Sequence, residues 1–156
     1  MIMENEFSQE EYWMKKFLRD MTKMQRIHES GHTLFGQSEA WKSQGYGWHN
    51  PLLPPEYRRC CLTGKMIQES PAGDLYYLTA CYYELITGCR APCNFELDHT
   101  WKEYVLLSCV RWKPEHQKAM IGMIAQSTRW QKEKRIQDAG KLLKTVFSEK
   151  FLDGIL

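Results

Sequence analysis

His28-Glu29-Ser30-Gly31-His32 has the form H-E-x-x-H, a spacing with a definite chemical use if it lies on a helix. Residues four apart lie one turn apart on the same side, so both imidazoles can aim at one metal ion. Glu29 is turned by roughly 100° from His28, beside such an ion and not on it. A zinc ion held there lowers the pKa of its bound water towards about 7 and polarises a substrate carbonyl. Glu29 would act as general base and pass the proton to the leaving amine. The chemistry expected of this spacing is Zn2+-dependent peptide hydrolysis. The plainer reading of the same residues is a pair of solvated helix histidines.

The third ligand decides the type of site. The extended metzincin form needs a histidine at position 38, which is Ser38, so that class is excluded. Glu84, Glu96, Asp98 and His99 are the remaining candidates further along the chain. Cys89-x-x-x-Cys93 offers half of a structural zinc site, but no second cysteine pair at ligand spacing completes it. Asp98-His99 after those cysteines resembles a ββα-metal nuclease, yet that site needs a downstream Asn and none follows Asn94. His49 falls in a Gly- and Pro-rich loop, and His116 falls on a charged helical turn where a solvent-facing position is expected.

The elements that must position these residues follow from periodicity. Ser8 to Glu11 has the form of a capping box. Beyond it Trp13, Phe17, Met21, Met24, Ile27, Gly31 and Leu34 recur at steps of three and four. This predicts a helix from about 9 to 42 with one apolar face, with a break near Asp20–Thr22 as a variant. Residues 44–73 are punctuated by Gly and Pro, with a short β hairpin expected from Tyr57–Thr63 and Lys65–Glu69 around Gly64. Helix resumes after Asp74 as N-cap and stops at Gly88. Asn94 caps a further helix to Arg111, and Pro114 opens a last helical region to about Phe151, with Gly122 and Gly140 as weak points. The fold expected is mainly α, a single domain over 1–156 of about five helices with a short β hairpin in an irregular insertion.

Composition limits the alternatives. The 156 residues carry 21 Lys+Arg against 19 Asp+Glu, a net charge of +2, too small a field to argue for nucleic acid. The basic run from Trp130 to Arg135, with Lys141 and Lys144, is relieved by Glu133 and Asp138 and reads as a solvated face. At 43% apolar and 13% aromatic residues the chain can build an ordinary globular core, in which the six tryptophans belong. No apolar stretch is long enough for a membrane span, and the acidic amino terminus lacks a signal-type apolar region. A cytoplasmic protein with six free thiols is expected.

Ile27-His28-Glu29-Ser30-Gly31-His32-Thr33-Leu34 resembles the H-E-A-G-H-A stretch of the FtsH-type ATP-dependent zinc proteases, including the glycine before the second histidine. Tyr83-Glu84-Leu85-Ile86-Thr87-Gly88 is similar to that family's A-E-E-L-I-x-G, and Asn94 to Asp98 falls where the family has G-A-S-N-D. The resemblance implies His28, His32 and Asp98 as zinc ligands and Glu29 as the base. It leaves Glu84 as an outer-sphere residue or substitute ligand and His99 as a further substitute. The chain departs from the family in a shorter interval between the histidines and Asp98, and in Leu97 where the family has Asn. It has no G-x-x-x-x-G-K-[ST] phosphate loop and no membrane segment. The expectation is a stand-alone zinc endopeptidase module cutting unfolded or exposed polypeptide segments, with a separate ATPase/unfoldase or a homo-oligomer as partner. The alternative is a catalytically degenerate, peptidase-like binding or accessory protein acting through protein partners.

Overall fold

The apolar periodicity from Trp13 onwards does produce a long amphipathic helix, but its limits differ from those expected. In a computed structural model, which describes residues 2–34 and 49–146, helix α1 runs unbroken over Ile2–Glu29. Its start lies before Ser8–Glu11, so that segment is helix interior and not a cap. Its end is fixed by Gly31, whose φ of 80° is a left-handed conformation that side-chain-bearing residues avoid. The Gly31 amide donates to the His28 carbonyl at 3.0 Å and the His32 amide to the Ile27 carbonyl at 3.1 Å. These are the two bonds of a Schellman stop, which consumes carbonyls a longer helix would have used. The 35–42 part of the predicted helix lies outside the described residues.

The predicted hairpin is not formed. Residues 57–63 belong instead to helix α2, Pro55–Thr63. Pro55 at its first turn supplies a preset φ and lacks only an N–H that would go unused there. Gly64, with φ 70°, closes α2 as a left-handed cap, and Lys65 N donates to the Cys60 carbonyl at 3.0 Å. The glycine that suggested a hairpin turn is therefore a helix terminator. Residues 65–70 are irregular, and no β-strand occurs among the described residues.

Helix α3, Pro71–Thr87, is the central element, with Leu75, Tyr76, Thr79, Ala80, Tyr82 and Tyr83 buried. Ser70, not Asp74, is its N-cap, the hydroxyl accepting from Gly73 N at 3.0 Å. Helix α4 (Trp101–Ser108) is shorter than predicted. Asp98 opens it, its Oδ1 accepting from Thr100 N at 2.7 Å and Trp101 N at 3.2 Å, whereas Asn94 folds an earlier turn by accepting from Glu96 N. Helix α5 begins at Pro114 as expected but ends at Ser127. A 3-10 turn at Lys132–Lys134 and helix α6 (Ala139–Val146) follow. The break thus falls between Gly122 and Gly140, not at either, and the 147–151 part of the predicted helix is outside the described residues.

One cluster joins all but α2. Met14, Phe17, Met21 and Met24 of α1 meet Tyr82 and Tyr83 of α3, Trp101 and Val105 of α4, Met120 and Ile124 of α5 and Leu142 of α6. Phe95 stands edge-on to Tyr76, Tyr83 and Trp101, an arrangement aromatic quadrupoles favour. His116, expected at the surface, is buried. Its Nδ1 lies 2.6 Å from Glu10 Oε1, which also accepts from Lys113 N at 2.7 Å and so ties the start of α5 to α1.

Helix α2 is held to α3 through Tyr57. Its ring is fully buried, its hydroxyl accepts from Ser70 N at 2.9 Å, and burial raises its pKa above that of a free tyrosine. The close approach requires glycine at position 73, where a Cβ would lie 2.3 Å from the Tyr57 hydroxyl. Gly73→Ala is expected to destabilise the protein by about 2 kcal/mol or more, as overpacking does in a rigid core. In a Tyr57→Leu background the penalty falls, because the ring carbon Cζ, 2.6 Å from that Cβ, is gone together with the oxygen. Equal penalties in the two backgrounds, measured by denaturant unfolding, would show that this contact does not set the spacing of α2 and α3.

Candidate functional site

The end of α1 brings His28 into the protein and leaves its motif partners outside. The His28 side chain is 4% exposed and lies 2.9 Å from Oδ2 of Asp74, which is fully buried in the first turn of α3. The same carboxylate oxygen accepts from Leu34 N at 2.7 Å. On the other side of the ring, Nδ1 accepts from Ala139 N at 3.3 Å, at the start of α6. A backbone N–H can only donate, so Nδ1 accepts with its lone pair and the Nε2–H donates a hydrogen bond to Asp74 Oδ2. One imidazole thus links α1, α3 and α6.

His32 stands apart because the Schellman stop precedes it. It is exposed, and its Nδ1 is 3.1 Å from Ser30 Oγ. The Ser30 hydroxyl donates to the Ile27 carbonyl at 2.7 Å, so it accepts from His32. Glu29 is also exposed, accepting from Gln25 Nε2 at 3.0 Å, one helical turn earlier. The one-turn-apart presentation of two imidazoles requires helix through position 32, and the helix ends at Glu29.

The predicted third ligands are engaged elsewhere. Asp98 folds the turn that leads into α4, and its hydrogen bonds from the Thr100 hydroxyl and amide hold its carboxyl below the usual range. His99, next to it, is exposed. Glu84 accepts from Ala91 N at 2.7 Å and so closes the loop after α3. Glu96 pairs with Arg129 at 2.8 Å, which lowers its carboxyl pKa. Glu96, Asp98 and His99 share the lining of a shallow cavity of about 350 Å³ with Lys102 and Arg129, so acids and bases offset one another there. Among the described residues no three His, Cys, Asp or Glu side chains are grouped as a metal ion requires. A zinc ion at His28 would displace either the Ala139 amide or the bond to Asp74, stranding a buried polar group. As arranged, these residues do not fit the ion.

The participants not foreseen are Asp74 and the Ala139 amide. A charged residue one step before the apolar run Leu75–Leu78 was the available signal, since a buried helix tolerates a carboxylate only where it has partners. Nothing in the sequence marks the backbone N–H of Ala139.

No family model, no curated protein and no solved structure matches this chain. The resemblance to the FtsH-type proteases therefore rests on the quoted segments alone. No helix among the described residues is long and apolar enough to cross a membrane.

Proposed function

We propose that this protein is a non-hydrolytic helical binding or accessory protein that acts through protein partners. The observation that carries this reading is the commitment of both ring nitrogens of His28 to a buried bridge between three helices. A metal ligand must offer a lone pair towards an open position, and this imidazole spends its lone pair on Ala139. Large apolar side chains remain outside the core at Leu62, Met66 and Leu85 and along α4, surface of the kind partners cover.

Zinc content and Glu29 together test the reading. The full chain, dialysed against zinc and then against buffer, is expected to retain far less than one zinc per chain. It should leave unfolded casein intact, and Glu29→Gln should behave as the parent does. Retention of about one zinc per chain, with casein cleavage abolished by Glu29→Gln, would establish the peptidase in its place.

A further inference from the structure

Helix α1 buries Met14, Phe17, Met21 and Met24 on one face and carries a row of cations on the opposite one. Lys15, Arg19, Lys23 and Arg26 are all exposed and follow one another at steps of four, four and three. At 100° per residue they fall within an arc of about 80°, which also holds the exposed Tyr12. The one acid between residues 12 and 26, Asp20, lies off this arc and is taken up by Lys16 at 3.6 Å and by the Tyr82 hydroxyl. Of the acids at the two ends of the row, Glu11 and Glu29, the second accepts from Gln25. Among the described residues no ion pair or side-chain hydrogen bond engages any of the four cations. Like charges three or four residues apart on a helix repel, so the row costs α1 stability that acids from outside would restore.

We infer that this face of α1 docks an acidic helix of a protein partner, with carboxylates recurring at the same steps of three and four. A step of four residues sets the cations about 6 Å apart along the axis, the repeat of Asp and Glu at i and i+4 on a helix laid alongside. The distribution of charge favours such a short segment over an extended polyanion. Setting these four apart from the 21 Lys and Arg leaves 17 against 19 Asp and Glu, so the rest of the chain is net negative. A nucleic acid or an anionic membrane reaches past the row and meets that charge, whereas a helix lying along the row does not. Nor can α1 lie in a bilayer surface, since its apolar face is already spent on the core. The row is about 17 Å long and exposed ion pairs each add little, so binding is modest and salt-sensitive. Tyr12, 58% exposed, supplies an apolar contact at one end. This inference rests on the interaction reading and names the partner's chemistry. Its test reads binding and not zinc or casein cleavage, so failure of either is told apart from failure of the other.

Fluorescence anisotropy of the full chain with a labelled alanine-rich peptide, its glutamates along one helical face, is expected to show saturable binding at low salt. Affinity should fall as salt rises, since exposed charges are screened beyond about 10 Å at 0.1 M. Arg19→Glu with Lys23→Glu should weaken binding at least about tenfold, with unchanged circular dichroism because both side chains are exposed. Arg19→Gln with Lys23→Gln, which adds no acid to α1, should weaken it in the same direction. Arg59→Glu, a charge reversal at an exposed position on α2, should leave it within about twofold. A peptide of the same composition with its glutamates spread round the helix should bind less well. No binding of the one-faced peptide at low salt overturns the inference. So does tighter binding of duplex DNA or of phosphatidylserine vesicles than of that peptide, equal binding of the two peptides, or equal losses from Arg59→Glu and the α1 variants. Unfolding of both α1 variants would assign the row to the chain's own packing and overturn it equally.

Discussion

Asp74→Ala is expected to lower folding stability by about 4 kcal/mol. The carboxylate is fully buried, and the His28 ring and the Leu34 amide both donate to one of its oxygens. Removing it strands two donors, at about 1–3 kcal/mol each, and leaves a small void between α1 and α3. The consequences reach beyond that contact. His28 would be free to turn, and its acceptor nitrogen would no longer be held towards Ala139. Asp74→Asn keeps an oxygen acceptor at nearly the same volume, so its cost should be clearly smaller. Urea unfolding of the three proteins, with slopes compared to confirm a common unfolding transition, measures the series. A cost below about 1 kcal/mol for Asp74→Ala, within the range of ordinary surface changes, would show that the bridge does not hold the three helices.

Arg135→Met is expected to cost about 3–5 kcal/mol, the range for breaking a buried ion pair from one side. The arginine side chain is wholly buried and bonds both oxygens of Glu56 at 2.7 Å, joining α2 to the segment between α5 and α6. It also donates to the carbonyls of Arg129 at 2.6 Å and Trp130 at 3.0 Å, and its guanidinium lies 5.0 Å from the centre of the Tyr76 ring. Methionine fills much of the volume but leaves Glu56 unpaired and two carbonyls without donors. Arg135→Lys keeps the charge and loses the planar fork, so it should recover little. Removing both charges, with Glu56→Gln added to Arg135→Met, should recover part of the loss, because much of the cost is the stranded carboxylate. If Arg135→Lys is as stable as the parent, the two-pronged geometry has no energetic role.

What could be read beforehand was mostly one-dimensional. The steps of three and four from Trp13 to Ile27 do mark the buried face of α1, and Pro114 and Gly88 do mark a helix start and a helix end. Those signals are local, so chain order preserves them. Gly31 and Gly64 show the limit, since a left-handed glycine serves equally as a turn and as a helix stop. At 64 the stop prevailed because Pro55 and the burial of Tyr57 favour helix, and the expected hairpin was lost. At 31 the same device cut a metal-binding spacing in two. Its residue types were all present, but the spacing carries its chemical meaning only while the helix continues. His28–Asp74, Glu10–His116 and Glu56–Arg135 are separated by 46, 106 and 79 positions, and no periodicity reports such pairings.

The bridge through His28 also has a consequence in time. Ala139, which fills the ring's acceptor nitrogen, lies 111 positions downstream, and α6 covers a face of α1. On a ribosome adding about 5–20 residues per second, α1 is made roughly 5–20 s before the helix that seals it. Throughout that interval Met21, Met24 and the His28 ring lack their final cover. Local helix formation is complete within microseconds, so the slow event is the return of the chain to its own beginning. Nascent chains of this protein are therefore most vulnerable to aggregation and chaperone capture just before α6 emerges.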